Sequence, residues 1–181
     1  MDELHEEIRQ CRRCHLAETR IQAVPGQGPV PAPLMLIGEA PGKTEDERGQ
    51  PFTGAAGRIL DIMLMEAGLS RDQVFITSVI KCRPPKNRNP NRQEVAACSI
   101  HLDRQIALVN PVIIAVMGNV ALQALFGPAL VIGAVRGKII HHEGRQYFPL
   151  FHPAAMLYNR SLGKTLKEDF CLLAEMVAQT S

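Results

Sequence analysis

Much of what defines a function class is missing from this 181-residue chain. No apolar run approaches the ~20 residues of a membrane-spanning helix, so a helical membrane protein is excluded. Residues 1–7 are polar and acidic and lack the architecture of a signal peptide, so a cytoplasmic protein with no membrane partner is expected. Neither sign of charge dominates: 20 Lys and Arg against 18 Asp and Glu leave a net charge of +2, too little for general attraction to a polyanion. No repeat or low-complexity tract interrupts the chain, and its length suits a single domain over residues 1–181, expected as a monomer. Dinucleotide and P-loop fingerprints are also absent, because the glycines between residues 38 and 57 have the wrong spacing and no Gly-Lys-Ser/Thr occurs there.

What is present alternates between short apolar runs and helical patterns, the mark of an α/β protein built on a parallel sheet. Strands are expected at residues 34–37, 74–79 and 112–117, whose unbroken apolar character suits burial on both faces. Weaker patterns at 138–141 and 147–151 suggest two more. Residues 55–67 place Ile59, Leu60, Met63, Leu64 and Ala67 on one helical face, with Gly68 as the stop. Helices are also expected at 94–109, 121–126 and 165–177, with Asn119 and Ser161 or Thr165 as N-caps and Pro111 and Gly127 as stops. The Pro- and Gly-rich stretch 24–33 reads as an extended surface connection into the first strand.

Five cysteines in a chain expected to stay in a reducing compartment point to ligation rather than disulfides. Cys11 and Cys14 form a C-x2-C pair beside an N-terminal helix, and Cys82 and Cys98 form a wider pair. Four thiolates from two segments can close a site for zinc or for an iron–sulfur cluster, and sulfur softness does not choose between them. The spread of the second pair leans to a cluster. Arg12, Arg13, Lys81 and Arg83 stand beside these cysteines and favour the thiolate form. Cys171, among Phe170, Leu172 and Leu173, reads as a small hydrophobe of the last helix.

Ligands of open parallel sheets bind beyond the carboxyl ends of the strands. The first such loop, after residue 37, carries Gly38, Glu39, Ala40 and Gly42, then Glu45, Asp46 and Phe52. Glycines that allow close backbone approach, together with carboxylates and one aromatic, suit a flat substrate attached to a backbone. At another strand end His152 precedes a proline, which holds it extended. From Lys81 to Arg92 there are five cations and no acid, a local surface for phosphates.

Taken in order, Gly38-Glu39-Ala40-Pro41-Gly42, Gly49-Gln50-Pro51-Phe52, the run Ile76 to Pro85, Asn87-Arg88 and His152-Pro153-Ala154-Ala155 resemble the family 4 uracil-DNA glycosylases over nearly the whole chain. The resemblance implies a three-layer α/β/α fold around a four-stranded parallel sheet, and a [4Fe-4S] cluster held by Cys11, Cys14, Cys82 and Cys98. The partner it implies is DNA containing uracil or another deaminated base. It implies that the flipped base stacks on Phe52, that His152 donates to uracil O2, and that Glu39, or its neighbours Glu45 and Asp46, handles the water and the cationic sugar. Gly38, Ala40, Gly42 and Ser78 would complete the base pocket, Lys86 and Arg88 would meet phosphates, and Met156 and Leu157 would wedge into the stack. Two positions depart from the family pattern. Ser78 stands where members carry a base-reading asparagine, and Tyr158 where they tend to carry arginine. Ser78 suggests a relaxed choice among deaminated bases, or alternatively an iron–sulfur DNA-binding protein of the same fold with little or no glycosylase activity.

Overall fold

The computed structural model describes residues 1–179. In chain order the elements are α1 (Asp2–Gln10), α2 (Leu16–Thr19), β1 (Leu34–Gly38), α3 (Lys43–Arg48), α4 (Ala55–Glu66), β2 (Val74–Ser78) and α5 (Arg92–Val109), followed by β3 (Ile113–Met117), α6 (Asn119–Phe126), α7 (Ile132–Val135), β4 (Ile140–His142), β5 (Arg145–Leu150), α8 (Ala155–Tyr158) and α9 (Leu162–Ala178). The sheet order is β2-β1-β3-β5-β4.

The expected sheet of four parallel strands is therefore short by one. β2, β1, β3 and β5 are parallel, and β4 adds a fifth, antiparallel strand through a hairpin onto β5. The edge strand β4 is only partly covered, and its sequence carries no continuous apolar signal. Strands β1, β2 and β3 are fully buried, and their side chains alternate between two cores. Met35, Ile37, Phe75, Ile114 and Val116 join α1, α5 and α6 on one face. Leu34, Leu36, Val74, Ile76, Ile113 and Ala115 join α4 and α9 on the other. Period-two alternation between two apolar faces is what makes these strands unbroken hydrophobic runs.

Helix boundaries follow local chemistry. Asn91 caps α5 through a reciprocal capping box, its side chain accepting from the Glu94 amide while Glu94 reaches back to the Asn91 amide. Asn119 does not cap α6 as expected: Gly118 takes that place, and the Asn119 side chain instead accepts from the Ile132 amide, tying α7 to α6. Ser161 occupies the N-cap of α9 without a side-chain capping bond, its hydroxyl donating instead to Asn159 Oδ1 at 2.7 Å, and Thr165 lies inside the helix.

The registers of β1, β2, β3 and β5 bring Gly38 level with Ser78, and Met117 level with Leu150. The loops that leave these four strands emerge together at one edge of the sheet, and the site forms there.

Candidate active site

A cleft of about 240 Å³ opens at that edge, lined by Glu39, Gly42, Glu45, Phe52, Ser78 and His152 among others. Of the residues expected in the substrate site, Glu39, Ala40, Gly42, Glu45, Phe52 and Ser78 meet there, and Gly38 forms the floor under Phe52.

Phe52 has a left-handed backbone, with φ of 52°. That conformation is uncommon for a bulky side chain and persists only where surroundings over-determine it. Three constraints do so. Arg71 donates to the carbonyl oxygens of Pro51, at 3.2 Å, and of Phe52, and is itself anchored on Asp61 at 2.5 Å. The Glu45 carboxylate accepts from the Thr53 and Gly54 amides at 2.9 and 2.8 Å. A Cβ on Gly57 would lie 1.8 Å from the Phe52 carbonyl oxygen, so only glycine lets α4 start so close. The ring then lies over Gly38, where a Cβ would stand 2.7 Å from it, and stacks with the His152 ring at 5.5 Å between centroids. Arg71 and Gly57 carry no signature in the sequence; their roles exist only through the approach of α4 and the turn before β2.

His152 accepts at Nδ1 from the Ala154 amide, at 3.1 Å. A neutral imidazole that accepts at Nδ1 carries its proton on Nε2. Burial pulls the His152 pKa down to about 4, with Glu45 opposing weakly, so the ring is neutral near pH 7. Burial pushes the Glu39 pKa up, and no donor among the described residues bonds its carboxylate. Its neighbours are differently employed. Glu45 stays in the cleft as the clamp on the Phe52 loop. Asp46, expected in the substrate site, is buried away from the cleft and accepts from the Ile21 and Gln22 amides at 3.0 and 3.4 Å, which corrects that expectation.

The rim differs from expectation as well. Arg88 lines the cleft, but its guanidinium grips Glu94, donating at 2.6 and 2.9 Å to the two carboxylate oxygens. A buried carboxylate that also meets His15 at 2.9 Å and the Asn91 amide holds Arg88 in place, so it is not a free phosphate contact. Lys86 is exposed, with no partner among the described residues. Met156 is partly buried against the core that α4 and α9 share, whereas Leu157 is 51% and Tyr158 92% exposed. Sequence reasoning missed Asn87, Pro84 and Ala56 in the cleft wall.

The four paired cysteines gather at the other end of this wall. Cys11 follows α1, Cys98 lies on α5, and Cys82 follows β2. Donors surround them. Arg20 donates to Cys82 Sγ at 2.8 Å and to the Arg9 carbonyl at 2.7 Å, and His101 Nε2 lies 3.3 Å from Cys11 Sγ. Burial raises the Cys82 thiol pKa to about 11, with Arg20 opposing and Cys98 and Cys14 adding; Cys98 is raised by burial, with Cys11 and Cys14 adding. Among the described residues no three His, Cys, Asp or Glu side chains converge closely enough to hold one metal ion. Cys171 lies apart, on α9.

A model of the uracil DNA glycosylase superfamily matches residues 25–174. A type-4 uracil-DNA glycosylase of Sulfurisphaera tokodaii is 45% identical, over 97% of this chain and 84% of the relative. Type-4 uracil-DNA glycosylases of Archaeoglobus fulgidus and Thermotoga maritima are each 40% identical, over 97% and 93% of this chain and 92% and 90% of the relatives.

Proposed function

This chain belongs to the uracil DNA glycosylase superfamily, and we propose that it excises uracil from DNA in the cleft lined by Glu39, Phe52, Ser78 and His152. It is a DNA-repair glycosylase, a hydrolase of the N-glycosidic bond. The observation that carries the site assignment is the pairing of a neutral His152, its Nε2 proton fixed by the bond at Nδ1, with a Glu39 carboxylate that no protein donor occupies.

The flipped uracil stacks on the Phe52 ring, replacing the base stack it has left. When the C1′–N1 bond breaks, its electron pair passes to uracil, and negative charge grows on O2 while the sugar becomes cationic. His152 donates Nε2–H to that oxygen, an interaction strongest in the transition state. Glu39 stabilises the cationic sugar and accepts a proton from the water whose oxygen adds to C1′. Glu45 acts one step removed, by holding the loop that carries Phe52.

The cysteine pairs suit a [4Fe-4S] cluster: Cys82 lies within electrostatic reach of Cys98 and Cys14, and Cys98 of Cys11 and Cys14, with Arg20 donating to one sulfur and His101 set against another. Cys11, Cys14, Cys82 and Cys98 would hold it. Bound there, the cluster supplies a four-thiolate cross-link between the end of α1 and the β2–α5 segment. Metal analysis of anaerobically purified protein should find iron, and Cys98→Ala should lose it. The partner is uracil-containing DNA, and the enzyme acts as a cytoplasmic monomer; among the described residues no helix is long and apolar enough to cross a membrane.

Ser78 sets the lesion range. It is buried and lines the cleft, and its short hydroxyl leaves room for a water that adapts to more than one base edge. Excision measured on oligonucleotides carrying uracil, hypoxanthine and xanthine tests the whole reading. Uracil should be released, and Ser78→Asn should raise its rate relative to hypoxanthine. Binding to uracil-DNA without any base release would instead identify a DNA-binding protein of the same fold.

A further inference from the structure

Lys81 is one of the largest fully buried side chains in the molecule, at 1% exposure. Its ammonium donates to the Thr77 hydroxyl and to the Ser78 carbonyl, each at 2.6 Å. No carboxylate pairs with it among the described residues, and the acidic groups that bear on it are the thiols of Cys98 and of its chain neighbour Cys82, which become anionic on ligation. An unpaired buried ammonium is costly, because burial strips the water that would otherwise solvate the charge. Two thiolates nearby would remove that cost.

The same residue is a hub for the cleft wall. The Lys81 carbonyl accepts from the Val24 amide at 2.7 Å, and Val24 lines the cleft. Thr77 passes the connection on, donating to the Pro25 carbonyl at 2.8 Å, where Gln105 also donates at 2.7 Å. Between Ser78 and Lys81, the Val79 and Ile80 amides donate to the Gly38 and Glu39 carbonyls at 3.0 and 3.4 Å. The segment from 77 to 81 therefore touches the cysteine site at one end and holds the backbone of Gly38, Glu39 and Ser78 at the other.

We propose that Lys81 is a positioning residue that couples the thiolate site to the base pocket: the Cys82 and Cys98 thiolates compensate its charge, and its bonds to Ser78 and Thr77 set the end of β2 where the base is read. This rests on the glycosylase reading for its effect on rate, but not for the coupling itself. Ligation of the cysteines then organises the cleft across the wall as well as stapling α1 to α5.

Lys81→Met keeps the length of the side chain and removes its charge and donors. The variant should retain iron, release uracil roughly tenfold to a hundredfold more slowly with DNA affinity unchanged, and exchange the Val24, Val79 and Ile80 amide hydrogens faster. Its cluster should also have a lower reduction potential, since a cation that favours the more negative, reduced form is gone. Iron retained with rate, exchange and potential all unchanged would overturn the proposal. Should the variant fail to fold or to hold iron, wild-type protein stripped of iron decides: lost protection at those three amides supports the coupling, and protection kept at all three refutes it. A wild type that releases no uracil would sink the glycosylase reading alone, because iron content, exchange and potential still judge the coupling.

Discussion

The floor and the rim of the cleft are built on opposite principles. On the floor, the groups that meet the base are held by other parts of the chain, Phe52 by Arg71, Glu45 and Gly57, His152 by the Ala154 amide, and Ser78 by Lys81, while the Glu39 carboxylate is left without a protein donor among the described residues. On the rim, Lys86, Leu157 and Tyr158 are exposed, and Tyr158 at 92% exposure is almost free of the protein. The difference follows from the task. Charge that develops in a transition state is best met by dipoles already in place, whereas a DNA backbone and an emptied base stack must be met wherever they lie. Substitutions on the floor should therefore change rate, and those on the rim should change binding.

The largest effects should come from the groups nearest the breaking bond. His152→Ala and Glu39→Gln should each slow single-turnover uracil release by about a hundredfold or more while leaving DNA affinity nearly intact. Equal losses in rate and affinity would erase the distinction between floor and rim. Acid should inactivate the enzyme through Glu39, because its raised pKa is met first as pH falls, while His152 stays neutral down to about pH 4. The pH profile of kcat/KM should lose that acid limb in Glu39→Gln. His152 also ties stability to pH: its folded pKa lies below the ordinary 6.5, so its contribution is complete above 6.5 and is lost as pH falls toward 4.

A smaller effect tests whether the floor is as over-determined as it looks. Arg71→Ala frees the Pro51 and Phe52 carbonyls, and kcat/KM on uracil-DNA should fall by roughly tenfold through misplacement of the ring. An unchanged kcat/KM would mean that Glu45 and Gly57 suffice.

On the rim, Tyr158→Ala should weaken binding to duplex uracil-DNA by roughly fivefold, at the low end of what loss of one base–aromatic stack costs, with little change in single-turnover rate. The chain has two tyrosines and no tryptophan, and Tyr147 is buried. Quenching of tyrosine fluorescence on DNA binding should therefore report Tyr158, and no quenching would remove it from the interface. Smallest of all, Lys86→Ala should lower the slope of log affinity against log salt by about one unit. Arg88→Ala should leave that slope alone and lower the thermal midpoint by a few degrees, because it abandons the buried Glu94 carboxylate.

The sequence by itself determined the α/β class, the three buried strands, the helix after Phe52, and the presence of Glu39, Ala40, Gly42, Glu45, Phe52, Ser78 and His152 in the cleft. Those features rest on local signals: apolar periodicity, turn residues, and short motifs whose members are neighbours in the chain. It also pointed to Lys86 and Leu157 as rim residues. Tertiary structure alone decided how those side chains are employed. Glu45 and Asp46 are adjacent acids, yet the backbone amides that α3 meets turn one into a loop clamp inside the cleft and bury the other against residues 21 and 22. Arg88 sits in a run of cations, yet Glu94, one turn into α5, takes its fork. The fifth strand matches the weak pattern at 138–141; the count of four was what the family resemblance implied, and the antiparallel hairpin onto β5 was decided by tertiary pairing. Arg71 and Lys81 were invisible as supports because each acts on backbone carbonyls, and which carbonyl a long cationic side chain meets is set by the packing of elements.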